Sequence, residues 1–234
     1  MSRNLPANRS SSKDIDAFLG NAARVPALNQ VKGRLIFAID ATMSRQPTWD
    51  RATEIQSEMF HVAQSMGGLA VQLVFFRGAG EFEASPWATT PAALADRMRS
   101  VTCRSGFTQL HRVLTHAAEE AGRAKVGALV YVGDCFEENP DLVAGAAGKL
   151  ALLGVPAFMF HEGHHPNAEA VFREVARLTK GVYAQFDAGA AKRLKELLGA
   201  AAAYATGGEV ALREYGERMG GEMLRIAHSM SGRK

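Results

Sequence analysis

Asp40, Thr42 and Ser44 stand at alternate positions directly after the apolar run Leu35-Ile36-Phe37-Ala38-Ile39. Side chains two residues apart leave an extended or turning backbone on one side, so their three oxygens can face a single point. Two more oxygen donors occupy comparable places. Thr108 closes the loop Ser105-Gly106-Phe107-Thr108 ahead of a helical segment, and Asp134 follows the apolar run Ala128-Leu129-Val130-Tyr131-Val132 and Gly133. Carboxylate and hydroxyl oxygens are hard ligands, so this set suits Mg²⁺, or Mn²⁺ or Ca²⁺, and not zinc or copper. The competing role for Asp40, Thr42 and Ser44 is to cap the helix that follows. Capping alone makes no demand for Thr108 and Asp134 on separate loops.

The elements that would position these residues alternate between strand and helix. Short apolar runs rich in Val, Leu, Ile and Phe predict buried strands at 33–40, 69–76, 128–132, 155–160 and 182–186, with a possible edge strand at 81–84. Helical spacing of apolar residues marks 48–66, 91–101, 108–121, 141–153, 168–179 and 190–204. This order calls for an α/β domain: a doubly wound, mostly parallel sheet with helices on both faces, a Rossmann-like three-layer sandwich. In such a sheet ligands bind outside the carboxyl ends of the strands, where strand order reverses. Asp40, Thr42, Ser44 and Asp134 all follow strands.

Around this domain, assigned to 32–205, lie two flanking pieces. Residues 1–31 read as a polar tail with a short helix carrying Ile15, Phe18 and Leu19 on one face. Residues 206–234 read as an amphipathic helix through Leu212, Tyr215, Met219, Met223 and Ile226. Internal Gly216, Gly220 and Gly221 make it dependent on a surface to fold against, either its own domain or a partner.

The composition sets outer bounds. The chain has 234 residues, 47% hydrophobic and 22% charged, with a net charge of +3, which is the balance of a soluble globular protein. Basic and acidic residues are interspersed, so no basic stripe invites nucleic acid. No apolar stretch reaches the length of a membrane span or a signal peptide, and the two cysteines, Cys103 and Cys135, form no framework. The expected location is the cytoplasm.

On Asp40-x-Thr42-x-Ser44, the later Thr108 in its Gly-x-Thr setting and the later Asp134, the chain resembles the von Willebrand factor type A (VWA) family and its metal-ion-dependent adhesion site (MIDAS). Order, spacing and α/β alternation agree over about residues 32–204. The resemblance implies that Thr42 and Ser44 bind the metal directly, Thr108 directly or through water, and Asp40 and Asp134 mainly through waters. It also implies an open coordination position that a partner protein's carboxylate fills. Two departures stand out: Thr42 replaces the usual serine, and Cys135-Phe136 follow Asp134 in place of the common glycine. A metal-dependent protein-binding module, an intracellular adaptor or subunit of a larger assembly, is therefore the leading expectation.

Two other classes compete. Gly133-Asp134-Cys135-Phe136-Glu137-Glu138 is similar to a motif of haloacid dehalogenase-like phosphatases, which would use Asp40 and Asp134. Those enzymes need a general acid two residues after the nucleophile, and Thr42 cannot supply a proton in that role. A VWA-type RNA-binding component is the third class. With no base–nucleophile pair, phosphate loop or cofactor fingerprint, a binding module is favoured over an enzyme. His161-Glu162-Gly163-His164-His165 reads as an exposed loop, with a second metal site as the alternative. The acidic stretch Glu137-Glu138-Asn139, with Asp141, reads as a solvated lip, or as one that holds a cation or selects a basic partner. Trp49 and Trp87 read as helix–sheet packing or as a partner anchor, and both cysteines as inert buried thiols.

Overall fold

A computed structural model describes residues 31–187 and 190–231; the N-terminal tail and its short helix lie outside them. Six strands, β1 (Gly33–Asp40), β2 (Leu69–Arg77), β3 (Glu81–Ala84), β4 (Ala128–Gly133), β5 (Ala157–Glu162) and β6 (Val182–Phe186), form one sheet in the order β3-β2-β1-β4-β5-β6. All neighbours pair in parallel except β2 and β3, so the short 81–84 segment is indeed an edge strand. From β1 the chain adds β2 on one side and returns to place β4 on the other. The switch point thus falls between the carboxyl ends of β1 and β4, behind Asp40 and Asp134.

The helices are α1 (Gln46–Ile55), α2 (Ser57–Gln64), α3 (Pro91–Arg99), α4 (Leu110–Arg123), α5 (Pro140–Leu152), α6 (Pro166–Leu178), α7 (Ala191–Met219) and α8 (Gly221–Ser231). Alternate residues of the central strands feed two cores. Leu35, Phe37, Ile39, Val130 and Val132 pack with side chains of α1, α2, α3, α7 and α8, among them Trp49, Met59, Leu94, Leu194 and Met223. Ile36, Ala38, Leu129 and Tyr131 pack on the opposite face with α4, α5 and α6 through Val113, Val143 and Phe172. Two covered faces explain why these strands read as unbroken apolar runs. The result is the three-layer α/β sandwich expected from the alternation.

Several boundaries differ from the sequence reading. The segment expected as one helix over 48–66 is two, because helix α1 ends at Ile55 and α2 restarts at Ser57; the intervening Gln56 is buried and donates to the Pro91 carbonyl, tying the junction to α3. Strand β5 runs two residues beyond its apolar run, taking in His161 and Glu162. The C-terminal segment continues helix α7 past a kink at Gly208 and then forms α8. Leu212, Tyr215, Met223 and Ile226 are buried in the first core, so the surface this amphipathic segment folds against is the chain's own.

Candidate metal centre

The site is assembled by loops that leave the carboxyl edge of the sheet. Asp40 ends β1 and is fully buried; its Oδ1 accepts the backbone N–H of Thr42 at 2.7 Å. Ser44 is exposed, and its hydroxyl donates to Asp134 Oδ2 at 3.3 Å, joining the loop after β1 to the loop after β4. A carboxylate oxygen of Asp40, one of Asp134 and the Cys135 sulfur all lie within 4.8 Å of one another. Hydrogen bonds thus join Asp40 to Thr42 and Ser44 to Asp134, and the two pairs meet through the neighbouring carboxylates.

Thr108 reaches the same region by another route. Its hydroxyl accepts the Glu137 N–H at 3.1 Å, while its own N–H donates to the Glu137 carboxylate at 3.4 Å. The loop that carries it is fastened to the residue just after β1 by the Arg104 N–H, which donates to the Ala41 carbonyl at 3.0 Å. Gly106 lets this loop lie on the β2–β3 turn: a Cβ there would stand 2.4 Å from the Gly78 carbonyl oxygen. Thr108 therefore stands on a separate loop, its hydroxyl engaged with the backbone of the loop that follows Asp134.

The acidic stretch after Asp134 does structural work that sequence reading missed. Glu138 accepts the Leu110 and His111 N–H groups at 2.5 and 3.0 Å, capping α4 from a different loop. A carboxylate at a helix N-terminus satisfies orphan donors and complements the dipole. The stretch is accordingly a clamp between two loops of the site, not a freely solvated lip.

The expected histidine-rich loop also divides. His161 is fully buried in β5, its Nδ1 2.9 Å from the Tyr183 hydroxyl and its Nε2 3.3 Å from the Asp134 carbonyl oxygen. Burial pushes its pKa down, favouring the neutral ring. His165 caps α6 by accepting the Ala168 N–H, and His164 and His165 are both exposed, as expected of the loop. Glu162 is buried too, and holds Arg45. The Arg45 guanidinium, only 2% exposed, pairs with Glu162 and lies 3.9 Å from Asp134 Oδ2. Thr48 adds a hydroxyl donor to the same Glu162 oxygen at 2.5 Å. Nothing in the local pattern singles out Arg45, since its partner lies 117 residues away.

Of the two tryptophans, Trp49 is buried against Phe75 with its N–H on the Met98 carbonyl, and Trp87 carries the Arg34 guanidinium over its ring. Packing accounts for both.

Burial pushes the Asp40 carboxyl up to about 6, against the lowering pull of hydrogen bonds from Thr42 and of the Arg45 charge. Asp40 Oδ2 and Asp134 Oδ1 are buried without a hydrogen-bond partner among the described residues. Two orphan carboxylate oxygens on neighbouring residues are costly unless a cation or water serves them. Together with the Thr42 and Ser44 hydroxyls they make a hard oxygen set, which fits a divalent cation. The Cys135 thiol does not extend this set: burial first, and Asp134 second, push it up to about 12, so it stays a neutral thiol. Cys103 is similarly raised, by burial, to about 11.

The architecture is shared with solved structures. A von Willebrand factor type A protein from Catenulispora acidiphila superposes with a TM-score of 0.61 at 16% identity, over 74% of this chain and 43% of that one. An aerotolerance-related membrane protein from Bacteroides fragilis NCTC 9343 gives 0.55 at 16% identity, covering 73% of this chain and 98% of the other. The VWA domain of SpRpn10 gives 0.54 at 11% identity, over 74% and 95%. No protein-family model matches the sequence, and no curated protein matches it. At these identities the likeness concerns the fold, and the fold is that of a VWA domain. Among the described residues, no helix is long and apolar enough to cross a membrane.

Proposed function

We propose that the chain is a metal-dependent protein-binding module in which Asp40, Thr42, Ser44, Thr108 and Asp134 hold a Mg²⁺ ion, or Mn²⁺ or Ca²⁺, at the sheet switch point. The observation that carries this reading is the pair of unpartnered oxygens on Asp40 and Asp134, whose carboxylates lie within 4.8 Å of each other. When bound, the ion supplies an electrophilic centre that accepts a carboxylate from a partner protein. Hydroxyl ligands leave much of its charge unneutralised, which favours an incoming anionic oxygen.

The rim supports a protein as the partner. Met43, between Thr42 and Ser44, is 59% exposed, and Phe107, beside Thr108, is 69% exposed. Large exposed methionine and aromatic side chains are enriched at the centres of protein interfaces. Two of them on the metal-binding loops provide apolar contact around a charged core. We assign the module to the interior of the cell, as an adaptor or subunit of a larger assembly, on the basis of its two inert thiols. A hydrolytic reading through Asp40 gains no support from its geometry: the carboxylate is fully buried, and Thr42 offers it a backbone N–H in place of a neighbouring acid.

Calorimetric titration with Mg²⁺, followed by affinity capture in Mg²⁺ and in chelator, tests the reading. Wild type should bind the ion and capture a partner only when it is present; Asp40→Asn should lose both. Phe107→Ala should keep the ion and weaken partner capture about tenfold or more. Identical captured partners in Mg²⁺ and chelator would overturn the metal bridge.

A further inference from the structure

Arg45 and Glu162 form a buried ion pair against the metal centre, outside the ligand set already described. Arg45 Nη1 lies 3.9 Å from Asp134 Oδ2, so one guanidinium faces two carboxylates that belong to different tasks. Its Nε and Nη2 are buried with no partner among the described residues, so the charge is held by Glu162 and not by a full set of hydrogen bonds. Glu162 is the last residue of β5, and its Oε2 also accepts the Thr48 hydroxyl from the first turn of α1. The loop bearing Thr42 and Ser44 is thus tied at its far end to the strand two places along the sheet.

Charge bookkeeping gives this pair a function. Asp40 and Asp134 together offer two negative charges, matching a divalent ion. A free guanidinium beside Asp134 would consume one of them and repel the incoming cation. We infer that Glu162 is a positioning residue that neutralises Arg45 and draws it off Asp134, thereby setting how tightly the centre binds its divalent ion. This inference rests on the metal reading above, and goes beyond it by assigning the control of affinity to residues that do not touch the ion. A cation 2+ interacts with a charge a few ångströms away strongly enough, even at a protein-like dielectric, for one unpaired charge to change affinity by about tenfold or more.

The two partners must then act with opposite sign, which a merely structural tie would not produce. In Mg²⁺ titration of the full chain, Glu162→Gln should weaken binding about tenfold or more, because Arg45 is released toward Asp134. Arg45→Gln should tighten binding about threefold or more, because Glu162 adds a third negative charge. The double variant should return to within about threefold of wild type. If both single variants weaken binding, or neither alters it while wild type still binds Mg²⁺, the inference is overturned. If wild type itself takes up no Mg²⁺, the metal reading fails instead. Should Arg45→Gln lose its cooperative melt, Arg45→Lys takes its place, since lysine keeps the charge but not the planar fork. Affinity near wild type then supports a role for charge, and a loss equal to that of Glu162→Gln overturns it.

Discussion

The two ends of the central sheet are built on opposite principles. At the amino ends of β1 and β4, backbone meets backbone: a Cβ on Gly127 would stand 2.3 Å from the Ala205 carbonyl oxygen of α7, and one on Gly33 would stand 2.5 Å from the Thr206 hydroxyl. At the carboxyl ends of the same two strands, Asp40 and Asp134 present oxygens that no described residue satisfies. One end of the sheet has been closed by packing, whereas the other keeps buried charge that only a cation or solvent can complete. The difference teaches how stability and binding are distributed: substitutions at the amino end should change stability without touching affinity, whereas substitutions at the carboxyl end should change affinity and, through its buried charge, make stability depend on pH and metal.

The largest expected effect tests the closed end. Gly127→Val forces a side chain into the backbone of α7, and neither partner can yield without moving a helix off the sheet. Overpacking of this kind should cost about 4 kcal/mol in chemical denaturation. The folded fraction should bind Mg²⁺ with wild-type affinity. A Gly127→Val protein as stable as wild type would show that α7 gives way freely, and the contrast between the two ends would collapse.

At the open end the expected effect is smaller and depends on pH. Asp40 titrates near its ordinary 3.8 when unfolded and at about 6 when folded, with burial as the main cause. The folded chain therefore holds the extra proton between these values. Asp40's contribution to stability is fully present below about pH 4 and is lost as pH rises through about 6, a total of up to about 3 kcal/mol from the size of the shift. In metal-free buffer, wild type should lose stability relative to Asp40→Asn over that window, and Asp40→Asn should be the more stable protein at neutral pH. Mg²⁺ should reverse the order, because binding stabilises only the protein that keeps the carboxylate. A wild-type minus Asp40→Asn difference that does not vary with pH would break the argument that the aspartate is held there at a cost.

The same contrast explains what could be read from the sequence. The apolar runs of β1 and β4, each leading into an aspartate, were legible because a strand covered on both faces must be apolar until it leaves the sheet. The polar residue at that exit then marks the functional edge. The alternation of Asp40, Thr42 and Ser44 was legible for the same local reason. Pairings over long sequence separations were not. Arg45 meets Glu162 at a separation of 117 residues and Glu138 caps α4 from 28 residues away, and neither leaves a local pattern. Glu162 is further hidden because β5 continues two residues past its last apolar side chain. In β5 the last two positions are polar and still buried, since Tyr183 and Asp134 serve His161 while Arg45 and Thr48 serve Glu162. Thr108 falls between these cases: its Gly-x-Thr loop is a local signal, but the bond that anchors its hydroxyl is to the backbone of Glu137.

The smallest expected effect concerns Cys135, which stands where the resemblance would put glycine. Its sulfur shares the 4.8 Å cluster with Asp40 and Asp134, so position alone would allow it to act as a ligand. Its chemistry argues otherwise. Burial and the Asp134 charge hold the thiol neutral up to about 12, and a neutral thiol is a poor ligand for a hard divalent ion. Cys135→Ser keeps the side-chain volume close and changes only the sulfur, so Mg²⁺ affinity should move by less than about threefold, with stability within about 0.5 kcal/mol of wild type. A drop in affinity as large as that of Asp40→Asn would instead make the sulfur part of the centre. The ion would then be a softer one than the oxygen set selects, and competition between Mg²⁺ and Zn²⁺ in the two proteins would reveal it: zinc preference present in wild type and lost in Cys135→Ser.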